Sequence, residues 1–196
     1  MDGHGQPREA LICRLRLAYA GELGAARGYA GHWRSIRRPR RAGQRVAVRR
    51  IMREELEHRA HVGQMLAELG RRPSRLRDAW MWCIGTAIAA SCFVGGWYLP
   101  MYGAGRIERR NIWEYEHAAR LAAQAGLHRY VEGLLAMAEV EWDHERYFHD
   151  QVRGHWLPQR LGSWPEPGPR EGIRASFDQG LPAPRPFGRA TATTGA

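Results

Sequence analysis

The chain has 196 residues, enough for one domain with a sizeable core, and its 44% hydrophobic content excludes a wholly unstructured polymer. Its formal net charge is +10 and every basic residue is arginine, so the surface attracts anionic partners: lipid headgroups, nucleic acid or acidic proteins. Cys13, Cys83 and Cys92 show no CxxC or zinc-type spacing, and no signal-peptide pattern opens the chain; both argue for reduced thiols in the cytoplasm.

Residues 1–9 read as a loose leader. From Ala10 to Ser35 the apolar residues Leu11, Leu15, Tyr19, Ala26, Tyr29 and Trp33 recur at helical spacing. Glu22 interrupts that stripe and is the only acid between Glu9 and Glu54. A basic turn over 37–43 leads to a second helix, Gln44 to Leu69, striped by Val48, Ile51, Val62, Met65, Leu66 and Leu69. Glu55 and His58 lie within its stripe, and folding the chain back near residue 40 sets Glu22 level with them. Gly70 to Ser74 is a turn.

The segment from Ala79 to Gly105 carries no charge and is long enough to cross a bilayer. Gly85, Gly95, Gly96, Pro100 and Gly103 interrupt it, and a crossing would part the two halves of the chain. An interfacial or substrate-lining crossover helix is the expectation. Ile107 to Gln124 reads as a third bundle helix starting near Met101, residues 125–127 as a turn, and His128 to Gly154 as the fourth helix. Seven of the eleven prolines fall from residue 157 onward. The division expected is a bundle over 10–155 and a Pro/Arg-rich tail over 156–196, mostly disordered from 162, with Trp156 and Trp164 the residues able to dock.

Two copies of Glu-x-x-His stand in this frame, Glu55-Leu-Glu-His58 and Glu141-Trp-Asp-His144. A spacing of three puts Glu and His one turn apart on one helix face. Glu54, Glu57 and His61 compete in the second helix, but Glu55 and His58 share the apolar face; Glu54 falls at its edge and the other two point away, and all three are expected to be solvated. In the fourth helix, Glu141 and His144 share a face with Leu134, Met137 and Phe148. Glu139 and Asp143 point the other way and read as surface charges, and Glu145 flanks the face as a weaker candidate. In the third helix Glu108 stacks with Met101, Ala104, Ile112, Tyr115 and Ala119 and is preferred, with Glu114 as the alternate. An unpaired buried carboxylate is costly, so four apolar stripes interrupted by acids at matching heights share one explanation. The set Glu22, Glu55, His58, Glu108, Glu141 and His144 is that of a di-iron or di-manganese carboxylate site in an all-α, ferritin-like four-helix bundle of two hairpins joined by a long apolar crossover.

Nine arginines lie between Arg34 and Arg53 with no acid among them. Aromatic interleaving there is sparse, which disfavours nucleic acid and favours an anionic membrane surface.

The motifs resemble those of the demethoxyubiquinone hydroxylases of ubiquinone biosynthesis. Ala20-Gly-Glu22-Leu-Gly-Ala, with Tyr29 seven residues after the Glu, looks like that family's first-ligand motif. Glu55-x-x-His58, Arg72-Pro73, Trp80, Ile107-Glu108 with Tyr115, and Glu141-x-x-His144 are similar to its later ones. The resemblance implies an O2-dependent di-iron monooxygenase acting on a quinone-like or aromatic lipid, fed by an electron donor and peripheral to the inner face of the cell membrane. The alternative kept open is a ferritin-like metal oxidase or peroxide-handling protein without hydroxylase activity.

Overall fold

The computed structural model describes residues 5–156 and 164–183. Six α-helices account for most of them: α1 Gly5–Ser35, α2 Ala42–Glu68, α3 Arg75–Ser91, α4 Tyr98–Gln124, α5 Val131–Arg153 and α6 Gly172–Asp178. Short 3-10 turns, Pro39–Arg41 and His128–Tyr130, lead into α2 and α5; there is no strand among the described residues. Helix α1 packs against α2, α3 and α4, and α4 packs against α5.

Local chemistry sets the helix ends. Gly70 and Gly126 take positive φ just past α2 and α4. Each time the next amide reaches back to close the last turn, Arg71 to Leu66 O at 2.8 Å and Leu127 to Ala122 O at 2.8 Å. Ser74 caps α3 by accepting from the Arg77 amide.

The uncharged run over 79–105 is not one crossover helix. Helix α3 begins at Arg75 and stops at Ser91, a turn follows, and α4 begins at Tyr98. Gly96, at φ +67°, sits in that turn, and Pro100 falls in the first turn of α4, where its missing N–H costs nothing. The leader expected over 1–9 is helical from Gly5, held where Arg71 meets Glu9 at 2.6 Å and Arg8 reaches Leu69 O at 3.3 Å.

Helix α3 lies on α1 with almost no side chain between them. A Cβ on Gly31 would stand 2.4 Å from Ala89 Cα, and one on Gly85 would stand 2.5 Å from Gly24 O. Each substitution would force the helices apart.

Two apolar clusters fill the bundle. One holds Leu11, Leu15, Val62, Leu66, Tyr115, Leu134 and Ala138; the other holds Tyr29, Val48, Ile51, Met101, Phe148 and Val152. On each of α1, α2, α4 and α5 at least one buried acid falls in sequence between the two clusters; Glu116, paired with Arg120 at 3.2 Å, is buried within the first. A polar layer therefore crosses the middle of an otherwise apolar interior.

The expectation of disorder from 162 onward fails for 164–183. Trp164 is only 6% exposed and seats on α4 at Gly105, between Tyr102 and His149. Ile173 joins the first cluster. Arg174 pairs with Glu132 at 2.8 Å and Glu139 at 2.6 Å, Arg170 pairs with Asp143 at 3.3 Å, and Trp142 donates to Gly168 O at 2.8 Å. Two apolar anchors and a row of ion pairs secure a proline-rich stretch that composition alone marks as unstructured. Residues 162, 163 and 184–196 lie outside the described set.

Candidate metal centre

Helical register delivers six ligand-type side chains to the polar layer: Glu22 from α1, Glu55 and His58 from α2, Glu108 from α4, and Glu141 and His144 from α5. All are buried, none more than 5% exposed. They form two overlapping groups. In one, ligand atoms of Glu22, Glu55, His58 and Glu141 all lie within 4.8 Å of one another; in the other, those of Glu55, Glu108, Glu141 and His144 do. Glu55 and Glu141 belong to both groups.

The structure separates the two candidates on the third bundle helix. Glu108 enters the second group, whereas Glu114 pairs with Arg110 at 2.9 Å and Arg14 at 3.7 Å. Glu145 is buried but turns to Arg109 at 3.5 Å; burial pushes its carboxyl up to about 7 against the pull of that guanidinium. Glu139, read as a surface charge, is buried under Arg174.

Around this layer stand partners that the stripe pattern does not reveal. The Tyr29 hydroxyl donates to Glu108 and the Tyr115 hydroxyl to Glu22. Each tyrosine lies seven residues after one acid and serves the acid of the other helix. Burial, and then the neighbouring carboxylates, push both phenols well above their usual range, so both remain donors. Asn111 donates to the second oxygen of Glu108 at 2.9 Å. Glu54, expected to be solvated, meets His144 Nε2 at 2.8 Å and turns Nδ1 of that ring toward Glu55, at 3.3 Å, and Glu141, at 3.6 Å. His58 Nδ1 faces Glu141 Oε1 at 3.0 Å. The doublet Glu54-Glu55 carried the signal for this partner: adjacent residues point about 100° apart on a helix, one into the layer and the other toward α5.

The donor set fits divalent cations. Glu22 Oε2, both oxygens of Glu55, Glu141 Oε2 and His144 Nδ1 are buried without a hydrogen-bond partner. Native interiors rarely tolerate so many orphaned atoms in one place. Burial, reinforced by neighbouring carboxylates, raises the carboxyls of Glu22, Glu55 and Glu108. Burial opposes charge on Glu141 and His144 too, but the contacts of Glu141 with the His58 and His144 rings, and of His144 with Glu54, prevail, lowering Glu141 and raising His144 to about 10. The cluster thus holds protons that cations would displace. Carboxylates and imidazoles in this ratio suit iron or manganese and not a thiolate-seeking metal.

The family model of ubiquinone biosynthesis protein COQ7 matches residues 9–110. No curated protein and no solved structure matches the chain. The matched span contains Glu22, Glu55, His58 and Glu108 and ends before Glu141 and His144, whose place beside them comes from the fold.

Proposed function

Because the chain belongs to the ubiquinone biosynthesis protein COQ7 family, we propose that it is a di-iron monooxygenase that uses O2 to hydroxylate the ring of a quinone of demethoxyubiquinone type. One observation carries the reading: two overlapping ligand groups that share Glu55 and Glu141. Glu22 and His58 would complete one ion's shell and Glu108 and His144 the other's, with the shared carboxylates able to serve both, as ferritin-like bundles of two hairpins require. When bound, the two iron ions supply the redox chemistry of oxygen activation.

The protein's own part is to bind, orient and keep dry. Tyr29, Tyr115 and Asn111 fix the carboxylates of Glu108 and Glu22. Glu54 fixes the ring of His144, the kind of outer support that tunes a ligand's basicity. Ile51, Met101 and Phe148 pack beside the polar layer and exclude water from it.

The substrate reaches the bundle along the membrane. No described helix is long and apolar enough to cross one. Helix α3 instead exposes Trp80, Trp82 and Ile88, and the turn after it exposes Phe93 and Val94, the last 87% exposed. Arg27, Arg37 and Arg41 stand over Trp82, Phe93 and Trp97. Apolar residues crowned by guanidiniums suit an anionic lipid surface on the inner face of the cell membrane.

Metal analysis joined to O2 consumption tests the reading. About two irons per chain are expected, with O2 uptake coupled to hydroxylation of a demethoxyquinol in a panel of quinols. Glu55→Ala and His144→Ala should each deplete metal at least about tenfold. Full metal content in both variants, or iron oxidation with no hydroxylated product, would refute it.

A further inference from the structure

A second concavity lies at the end of the bundle formed by the α1–α2 turn and the last turns of α5. Arg40, Arg41, Gly43, Gln44, Tyr147 and Gln151 line a volume of about 660 Å³. Tyr147 is one turn beyond His144, and Gln44 is three turns before Glu55, so the cleft is separate from the metal-ligand layer.

Among the described residues no carboxylate lines it. Arg40 makes no ion pair among the described residues. Arg41 lies over Trp97, 4.0 Å from the ring centroid, and donates to Gln44 Oε1 at 2.9 Å, so both of these partners are neutral. Gln44 in turn donates to Gln151 Oε1 at 2.6 Å and ties α2 to α5. Two buried donors in the wall have no partner, Arg41 Nε and the Tyr147 hydroxyl. The first turn of α2 carries no acid and no side-chain cap, and a Cβ on Gly43 would meet nothing within 4 Å. Burial, and then repulsion from Arg40 and Arg38, holds the Arg41 guanidinium below its usual range. Cations around an open cleft, with no anion supplied by the described residues, call for one from outside.

We propose that this cleft is a binding site for a phosphate-bearing ligand. A phosphoryl group offers three or more acceptor oxygens, enough for the guanidiniums of Arg40 and Arg41 together, where a single carboxylate offers two. Guanidinium forks match that geometry better than ammonium groups would. The cavity is far larger than one phosphate and falls in the size range of small-molecule sites, so the rest of the ligand is accommodated beside Gly43 and Gln151. The phosphate comes either from a soluble molecule or from a lipid headgroup.

The test uses the full chain in two arms. Inorganic diphosphate is titrated calorimetrically, with the change in total tryptophan fluorescence as a second signal. Sedimentation with phosphatidic acid vesicles, against phosphatidylcholine vesicles, forms the other arm. Arg40→Gln removes an exposed cation, and Gln151→Glu places a competing carboxylate in the cleft. Arg75→Gln, an exposed charge at the start of α3, is the control. One diphosphate should bind per chain, weakened about tenfold or more by each cleft variant and unchanged by the control. If only vesicle binding shows that dependence, the phosphate is a lipid's. Binding that ignores Arg40 and Gln151 in both arms, or no binding in either, overturns the proposal.

Discussion

His32 supplies a sharp test of how dry this interior is. Its ring is 2% exposed, stacks near Phe148 with centroids 6.5 Å apart, and leaves Nε2 without a partner. Burial alone pushes it from 6.5 down to about 4. The folded state therefore refuses a proton that the unfolded chain accepts. Stability from this group is intact above pH 6.5 and is lost as pH falls toward 4. With those two values the loss reaches about 2 kcal/mol at pH 5 and about 3 kcal/mol below pH 4. Because the ring is buried, solvent screening takes little from these figures. Urea unfolding of the wild type and of His32→Gln, both stripped of metal, at pH 7 and pH 5 isolates the effect. The wild type should lose about 2 kcal/mol more than the variant between the two pH values. Equal losses would mean that His32 titrates freely in the folded protein and that water or a partner reaches Nε2.

Four further outcomes are expected. Tyr29→Phe and Tyr115→Phe should each weaken metal binding by about tenfold while circular dichroism stays unchanged, since only the hydroxyl that orients a carboxylate is removed; unchanged affinity would deny them that role. Metal affinity should rise from pH 5 to pH 8, because the raised carboxyls and His144 must release protons, and the released protons are countable by calorimetry in buffers of different ionisation enthalpy. Gly31→Ala should cost about 1–3 kcal/mol in thermal unfolding, as its Cβ meets the Ala89 backbone. Truncation after Gln159 should lower the melting temperature, and Trp164→Ala alone should cost about 3 kcal/mol; an unchanged melt would mean that the 164–183 stretch contributes nothing.

The helices that carry the buried acids and the heights of those acids were legible because one physical rule governs them. A carboxylate cannot sit alone on an apolar stripe, so Glu22, Glu55, Glu108 and Glu141 announce one another by register. Glu54 and the two tyrosines were less legible. Their roles depend on rotation about neighbouring helix axes, which sequence periodicity does not encode. The tail misled for another reason. Proline content measures the lack of regular structure, whereas the seating of Trp164 depends on the missing side chain of Gly105 some sixty residues earlier. The break between α3 and α4 was blurred because Pro100 is harmless in a first helical turn and ruinous only later.

The exchange of tyrosines has a consequence for assembly. Helix α1 carries Glu22 but takes its hydroxyl donor from α4, and α4 carries Glu108 but takes its donor from α1. Helices α1 and α2 alone leave Glu22 without its tyrosine donor, and α4 and α5 alone leave Glu108 without its own. Docking of the two pairs is what buries both carboxylates, and the same docking supplies both donors. The chain has no comfortable way to fold by halves, and docking of the second pair on the first becomes the event that satisfies both, which favours a single cooperative transition.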